Sequence, residues 1–159
     1  MSTVIQNQVR WADATPTFSV GTTYTTGDTF GSLMTFKIHG SSRIIPVTLF
    51  AVTIQNRADT DAPAIKLNWF SSSPTVTSAD SAAIVITRPA VGDLIAAGSI
   101  ASGTFDTFSQ FGVNTIRDFQ LPIITDVNGS VYCQMTYNSA SSVTVATNDI
   151  TVRAWFYMK

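Results

Sequence analysis

Apolar and polar residues alternate with a period of two over many short stretches of the chain, which is the pattern of half-buried β-strands. The stretch 47–55 is apolar on both faces, so we expect it to lie in the centre of a sheet. Turn residues recur between the stretches at intervals of about 8 to 12 residues. The predicted strands are 17–23, 32–38, 47–55, 64–70, 84–87, one within 99–111, 119–124, 131–137 and 149–158. This spacing predicts an all-β fold, a β-sandwich with a jelly-roll-like layout.

Two segments depart from the strand pattern. Residues 89–97 begin with Pro89, place Asp93 early and end before Gly98, so we expect one short connecting helix there. Residues 1–15 show no sustained period and predict a flexible N-terminal arm. Because 159 residues suit one ordinary domain, we expect residues 16–159 to form a single β-sandwich.

A tight reversal is predicted between the first two strands, over Tyr24, Gly27, Asp28 and Gly31. Both glycines can adopt a positive φ, and Asp28 can accept a backbone N–H from a residue one or two positions after it in the chain. Asp28 could instead be half of a metal or catalytic site. No second acid and no histidine lie nearby in sequence, which favours a structural turn with Tyr24 as a packing residue.

The composition points to an uncharged surface. Charged residues make up 12% of the chain against about 25% in typical domains, while Ser and Thr fill 40 of the 159 positions. Little electrostatic repulsion then keeps copies apart, so we expect a homo-oligomer or a component of an assembly. The nine basic residues are scattered, which argues against nucleic-acid binding.

The chain carries no recognisable targeting or membrane signal. Its longest apolar stretches are about ten residues, well short of the roughly 20 that a membrane-spanning helix needs. The first 14 residues are polar and do not resemble a secretory signal. We therefore expect synthesis in a cytoplasm and no membrane partner.

Residues for catalysis or metal binding are scarce. The chain has one histidine, His39, one cysteine, Cys133, and no Glu, so neither a Ser-His-acid triad nor a zinc site is expected. Strand alternation predicts that Cys133 is a buried small hydrophobe. Calcium remains open because oxygen ligands suffice, although solvated loop carboxylates are favoured. The loop residues concerned are Asp59, Asp61, Asp80, Asp126 and Asn128. We expect no cofactor and no enzymatic activity.

Aromatic side chains leave carbohydrate binding open. Exposed rings can act as stacking platforms for sugars, although aromatic residues are more common in cores and interfaces. The candidates are Trp11, Trp69, Phe105, Phe108 and Phe111.

Several segments together resemble the small virion structural proteins of tailed bacteriophages, of the head decoration or cement type. The resemblance begins at a Tyr-x-x-Gly-Asp-x-x-Gly segment and covers roughly residues 17–158. Its segments are Tyr24 to Gly31, 67–74, 80–83 and 93–100. The chain departs from that pattern at Trp69, which replaces an aliphatic residue, and over 104–119, where it is only loosely similar.

The resemblance implies a non-enzymatic protein on the outer surface of a virion capsid. Its partner would be the major capsid protein, and it would bridge capsomers and stabilise the lattice as an oligomer after synthesis in the host cytoplasm. The N-terminal arm would contact the capsid through Val4, Ile5, Val9, Arg10 and Trp11. Two alternatives stay open, namely a tail or adaptor component of the virion and a carbohydrate-binding adhesion module.

Overall fold

The computed structural model describes residues 8–19, 21–40, 43–57, 64–74, 80–85, 94–100, 106–108, 111–144 and 150–158. Within these residues it contains eleven β-strands and no helix, which confirms the all-β class. The strands are β1 (Gln8–Ala14), β2 (Thr23–Tyr24), β3 (Met34–Lys37), β4 (Pro46–Asn56), β5 (Ile65–Phe70), β6 (Leu94–Ile100), β7 (Asp106–Phe108), β8 (Phe111–Ile124), β9 (Ser130–Tyr137), β10 (Val143–Thr144) and β11 (Ile150–Met158).

The strand pairing is that of one long hairpin rolled up on itself. Apart from the short strands β2, β7 and β10, the first strand pairs with the eighth, the second with the seventh, the third with the sixth and the fourth with the fifth. All of these pairs are antiparallel. The resulting sheets have the orders β1-β11-β4-β8-β7 and β3-β9-β5-β6. Eight strands wound in this way form a jelly roll, in agreement with the layout expected from the sequence.

The two sheets share one apolar core. Alternate residues of β11 are buried, and they join buried residues of β4 on one side and of β5 and β9 on the other. Trp69 and Phe36 are fully buried, with ring centroids 5.2 Å apart. Fully burying one such side chain stabilises the fold by about 1.5 to 3 kcal/mol. Burial of the apolar side chains that alternate along each strand therefore holds the two sheets together.

The expected helix at 89–97 is wrong where the structure describes it. Residues from Leu94 to Ile100 form β6, which pairs with β5 from Phe70↔Leu94 to Ile65↔Ile100; residues 89–93 lie outside the described part. A helix of that length is marginal in isolation. Pairing with β5 satisfies backbone groups along a whole strand, and this outweighs the local helix signals.

The expected free arm also needs correction. Gln8–Ala14 forms β1 and pairs with β11 over its whole length, from Gln8↔Met158 to Ala14↔Val152. Residues 1–7 lie outside the described part of the chain. The sequence of β1 alternates only weakly because Ala12 is its one buried residue, so a search for amphipathic strands overlooks it.

Candidate functional site

The turn at Tyr24 to Gly31 has the predicted backbone geometry. Gly27 and Gly31 adopt φ values of 95° and 73°. The Asp28 carboxylate accepts hydrogen bonds from the backbone N–H of Thr25, at 2.6 Å, and from its hydroxyl, at 2.9 Å. The sequence had suggested a partner after Asp28, but the partner lies three residues before it. These contacts agree with the interpretation of Asp28 as a turn-locking acceptor.

Asp80, which the sequence analysis considered only as a loop carboxylate, joins this region in the structure. Its Oδ2 accepts the Tyr24 hydroxyl and the Ser19 N–H, both at 2.6 Å, and its Oδ1 accepts the Gly31 N–H at 2.8 Å. Burial and the hydrogen bond that its hydroxyl donates to Asp80 raise the pKa of Tyr24. A buried tyrosine needs a partner for its hydroxyl, but no local pattern indicates one 56 residues further along the chain.

The motif is tied to β9. The Gly27 N–H donates to the carbonyl of Tyr137 and the Tyr137 N–H donates to that of Asp28, each at 2.9 Å. The Gln134 side chain, which is buried, donates to the Gly31 carbonyl at 2.9 Å. These hydrogen bonds occupy polar groups of the motif within the fold and hold the stretch from Gly27 to Gly31 against β9.

Three of the candidate capsid-contact residues, Val9, Arg10 and Trp11, lie on β1, an edge strand. β11 pairs with one side of β1, and within the described residues no strand pairs with the other. Val9 and Trp11 are 50% and 53% exposed, and Arg10 is exposed as well. Val4 and Ile5 lie outside the described part of the chain. The structure therefore brings three of the five predicted contact residues together on one strand.

A clamp on the outer face of the five-stranded sheet fixes β1 to β11. The Arg153 guanidinium donates to both carboxylate oxygens of Asp13, at 2.6 and 2.7 Å. The same guanidinium lies 4.2 Å from the centroid of the Trp11 ring and 5.8 Å from that of Trp155. Two aromatic rings and one ion pair thus hold the edge strand in register.

Beside this clamp, the outer face of the five-stranded sheet contains a groove of about 520 Å³. Its described lining residues are Phe50, Ala51, Thr53, Thr115, Gln120, Trp155 and Tyr157. The alternation of β11 showed that Trp155 and Tyr157 share a face, but nothing in the sequence placed them beside Phe50 on another strand. The rings of Phe50 and Tyr157 stack, with centroids 4.1 Å apart.

Three backbone irregularities meet at this groove. The register of β11 with β4 shifts between Trp155 and Phe156, and that of β4 with β8 shifts between Leu49 and Ala51. Gln120, on the β8 side of the second shift, has a φ of 41°. Bulges redirect side chains, and a non-glycine residue with positive φ costs about 1 to 3 kcal/mol, so strain of this kind often marks a functional site.

The remaining candidate residues have structural surroundings. The His39 ring packs against the Gly129 turn, and Cys133 is buried, which raises the pKa of its thiol. Asp59 and Asp61 lie outside the described residues. Across the described residues, no group of three or more His, Cys, Asp or Glu side chains could hold a metal ion. The described part likewise contains no helix that is long and apolar enough to cross a membrane.

The aromatic residues that were candidates for stacking on sugars lie in different environments. Trp69 is fully buried in the core, which removes it as a candidate platform, whereas Trp11 is exposed. Phe105 lies outside the described residues. Phe108 and Phe111 are register partners on β7 and β8. The aromatic groove is therefore built largely from residues that the sequence did not nominate.

Comparison with known proteins gives matches among solved structures alone. No protein-family model matches the chain, and no curated protein matches it. Among solved structures, the chain is similar to one from the native virion of Kashmir bee virus at acidic pH, with 12% sequence identity and a TM-score of 0.37. The match covers 99% of this chain and 73% of that chain. The fold assignment rests on the strand pairings described above.

Proposed function

We propose that this protein is a virion structural protein of a tailed bacteriophage that decorates the head and stabilises it by bridging capsomers. The resemblance of residues 17–158 to head decoration proteins motivates the proposal, and a jelly roll is an architecture that viral capsid domains use. One structural observation carries it furthest, which is the exposure of Val9 and Trp11 on an edge strand.

The edge of β1 suits a protein partner in two ways. Its unpaired backbone N–H and C=O groups can hydrogen-bond to a strand of another chain, and its exposed side chains offer apolar area for burial. Natural edge strands are normally protected by charge or proline. On β1 the outward positions include Val9 and Trp11, so the strand keeps an apolar contact surface. Many weak contacts repeated over a lattice would then add up to stable binding.

Binding to undecorated phage heads tests the proposal. Purified wild-type protein is expected to bind such heads saturably, and Val9→Asp is expected to weaken binding at least about tenfold because it places a charge in the buried interface. Val127→Asp is the matched control, since Val127 is 60% exposed on the β8–β9 turn, where Asp is well tolerated. The proposal is supported when the Val127→Asp protein binds heads as tightly as the wild type does.

Two results would contradict this function. Absence of saturable binding would exclude a lattice partner, and equal loss of binding in both variants would remove the role of β1. Counting copies per virion separates the tail or adaptor alternative, because a decoration protein is present in hundreds of copies and a tail component in about a dozen or fewer.

A further inference from the structure

We propose that the groove over β4, β8 and β11 is a binding site for a neutral saccharide. This goes beyond the proposed function, because it assigns a small-molecule ligand to a groove that adjoins the capsid-contact edge, where Val9 and Trp11 are the register partners of Tyr157 and Trp155. The groove lies on the solvent side of the five-stranded sheet, and its volume of about 520 Å³ falls within the range of about 300 to 1,000 Å³ typical of ligand sites.

The shape of the groove depends on one small residue. Ala51 is the register partner of Trp155 and is 6% exposed, so it forms a floor between larger side chains. Half-buried rings of Phe50, Trp155 and Tyr157 contribute the aromatic part of the lining. A pyranose ring has an apolar C–H face that packs against such rings, and this is the way aromatic side chains combine apolar area with polar ligands.

Polar atoms border the aromatic part. The hydroxyls of Thr53 and Thr115 lie 3.2 Å apart, and each can both donate and accept a hydrogen bond. Gln120, whose exposed side chain offers an amide, is held at a φ of 41° beside the register shift. The strained backbone thus places a donor and an acceptor at the rim of the groove, where saccharide hydroxyls need both.

Charge complementarity favours a neutral ligand. The described lining residues carry no formal charge. Arg153, which lies 5.8 Å from the Trp155 ring, is already ion-paired with Asp13. An apolar side chain of a peptide would use the aromatic rings but would leave the Gln120 amide and the remaining hydrogen-bonding capacity of the two threonine hydroxyls unused, which costs binding energy in a dry contact. A neutral saccharide satisfies both kinds of surface.

The test is binding of the full chain to an array of neutral oligosaccharides that includes hexamers of glucose, N-acetylglucosamine, galactose and mannose. At least one is expected to bind saturably and to change the tryptophan fluorescence, because Trp155 lines the groove. Ala51→Leu fills the floor and should weaken that binding at least about tenfold. Thr53→Val removes one hydroxyl at nearly constant shape and should weaken it about threefold or more.

Val127→Asp is the control, and it should bind the saccharide as the wild type does because Val127 lies on the β8–β9 turn and is not among the described lining residues. Since Thr53→Val keeps the shape of a half-buried position, it gives a result even where Ala51→Leu disturbs the sheet. The proposal is overturned when no neutral saccharide binds, or when both groove variants bind as tightly as the wild type. It is also overturned when the groove variants lose binding to heads and the wild type binds no saccharide, since the groove is then a protein interface.

Discussion

At the scale of single residues, two aspartates organise the Tyr24 to Gly31 region with unequal weight. Asp80 accepts three hydrogen bonds from Ser19, Tyr24 and Gly31, whereas both bonds accepted by Asp28 come from Thr25. Asp80→Ala is expected to lower the free energy of unfolding by about 3 kcal/mol, and Asp28→Ala by about 1 kcal/mol. Urea unfolding of both variants measures the difference. Equal losses would show that Asp80 has no special role.

The two glycines of the motif make a second matched pair. Both have positive φ, but a Cβ on Gly31 would lie 2.9 Å from the Phe18 ring and 3.0 Å from Pro16, whereas one on Gly27 would meet nothing within 4 Å. Gly27→Ala should cost about 1 kcal/mol of stability through φ alone. Gly31→Ala should cost about 1 to 3 kcal/mol more, because the packed neighbours must move. Thermal and urea unfolding measure which substitution costs more stability. A smaller loss for Gly31→Ala than for Gly27→Ala would contradict this prediction.

Asp126 and Tyr132 make the stability of the β8–β9 turn depend on pH. The Tyr132 hydroxyl donates to Asp126 at 2.7 Å. Burial raises the pKa of Asp126, but hydrogen bonds from Tyr132, Ser130 and Asn128 outweigh it and leave that pKa below its usual value. Burial and the Asp126 carboxylate raise the pKa of Tyr132 to about 12. Stability from Asp126 is therefore lost as pH falls through its lowered pKa, and stability from Tyr132 is lost as pH rises from about 10 to 12.

Tyr132→Phe should reduce both pH effects. It removes one hydrogen bond that lowers the pKa of Asp126, so the decline in acid becomes shallower, and it removes the tyrosine that titrates in alkali. The free energy of unfolding, measured from about pH 2 to 6 and from about pH 9 to 12, gives both slopes. If the variant kept the wild-type slope at both ends, the hydrogen bond would have no energetic role.

At the scale of elements, β1 depends on the Arg153 clamp more than on burial. Arg153→Lys keeps the charge but loses the bidentate hydrogen bond to Asp13 and most of the stacking on Trp11. The edge strand β1 should therefore separate from β11 more often. We expect about 1 kcal/mol of local stability to be lost, which is roughly a fivefold drop in amide-exchange protection on β1. Amides of β9 serve as the internal control. A uniform drop in both strands, or none in β1, would contradict the clamp.

The sequence predicted elements whose own alternation is strong and missed those that depend on a neighbour. β4, with apolar residues on both faces, was expected at the centre of a sheet and lies between β11 and β8. Residues 94–97 carry helix-like signals but form a strand because β5 offers a backbone to pair with. β1 was missed for the same reason, since its register is set by β11 and not by its own pattern.

At the scale of the whole molecule, the sequence indicated the fold class but not the sites. Short strands at regular spacing are sufficient for a jelly-roll prediction, whereas the contacts of Asp80 and the groove join residues far apart in the chain. Tyr24 and Asp80 are 56 residues apart, and Thr53 and Thr115 are 62 apart. Such pairs follow from the rolled hairpin, and no local pattern records them.

The central claim is that this jelly roll decorates a phage head through the free edge of β1. Electron cryomicroscopy of the decorated virion tests it most directly. The expected map has repeated copies on the outer capsid lattice, with Val9 and Trp11 of β1 against the capsid protein. A map with the protein at the tail, or with the β1 edge facing solvent, would contradict the claim.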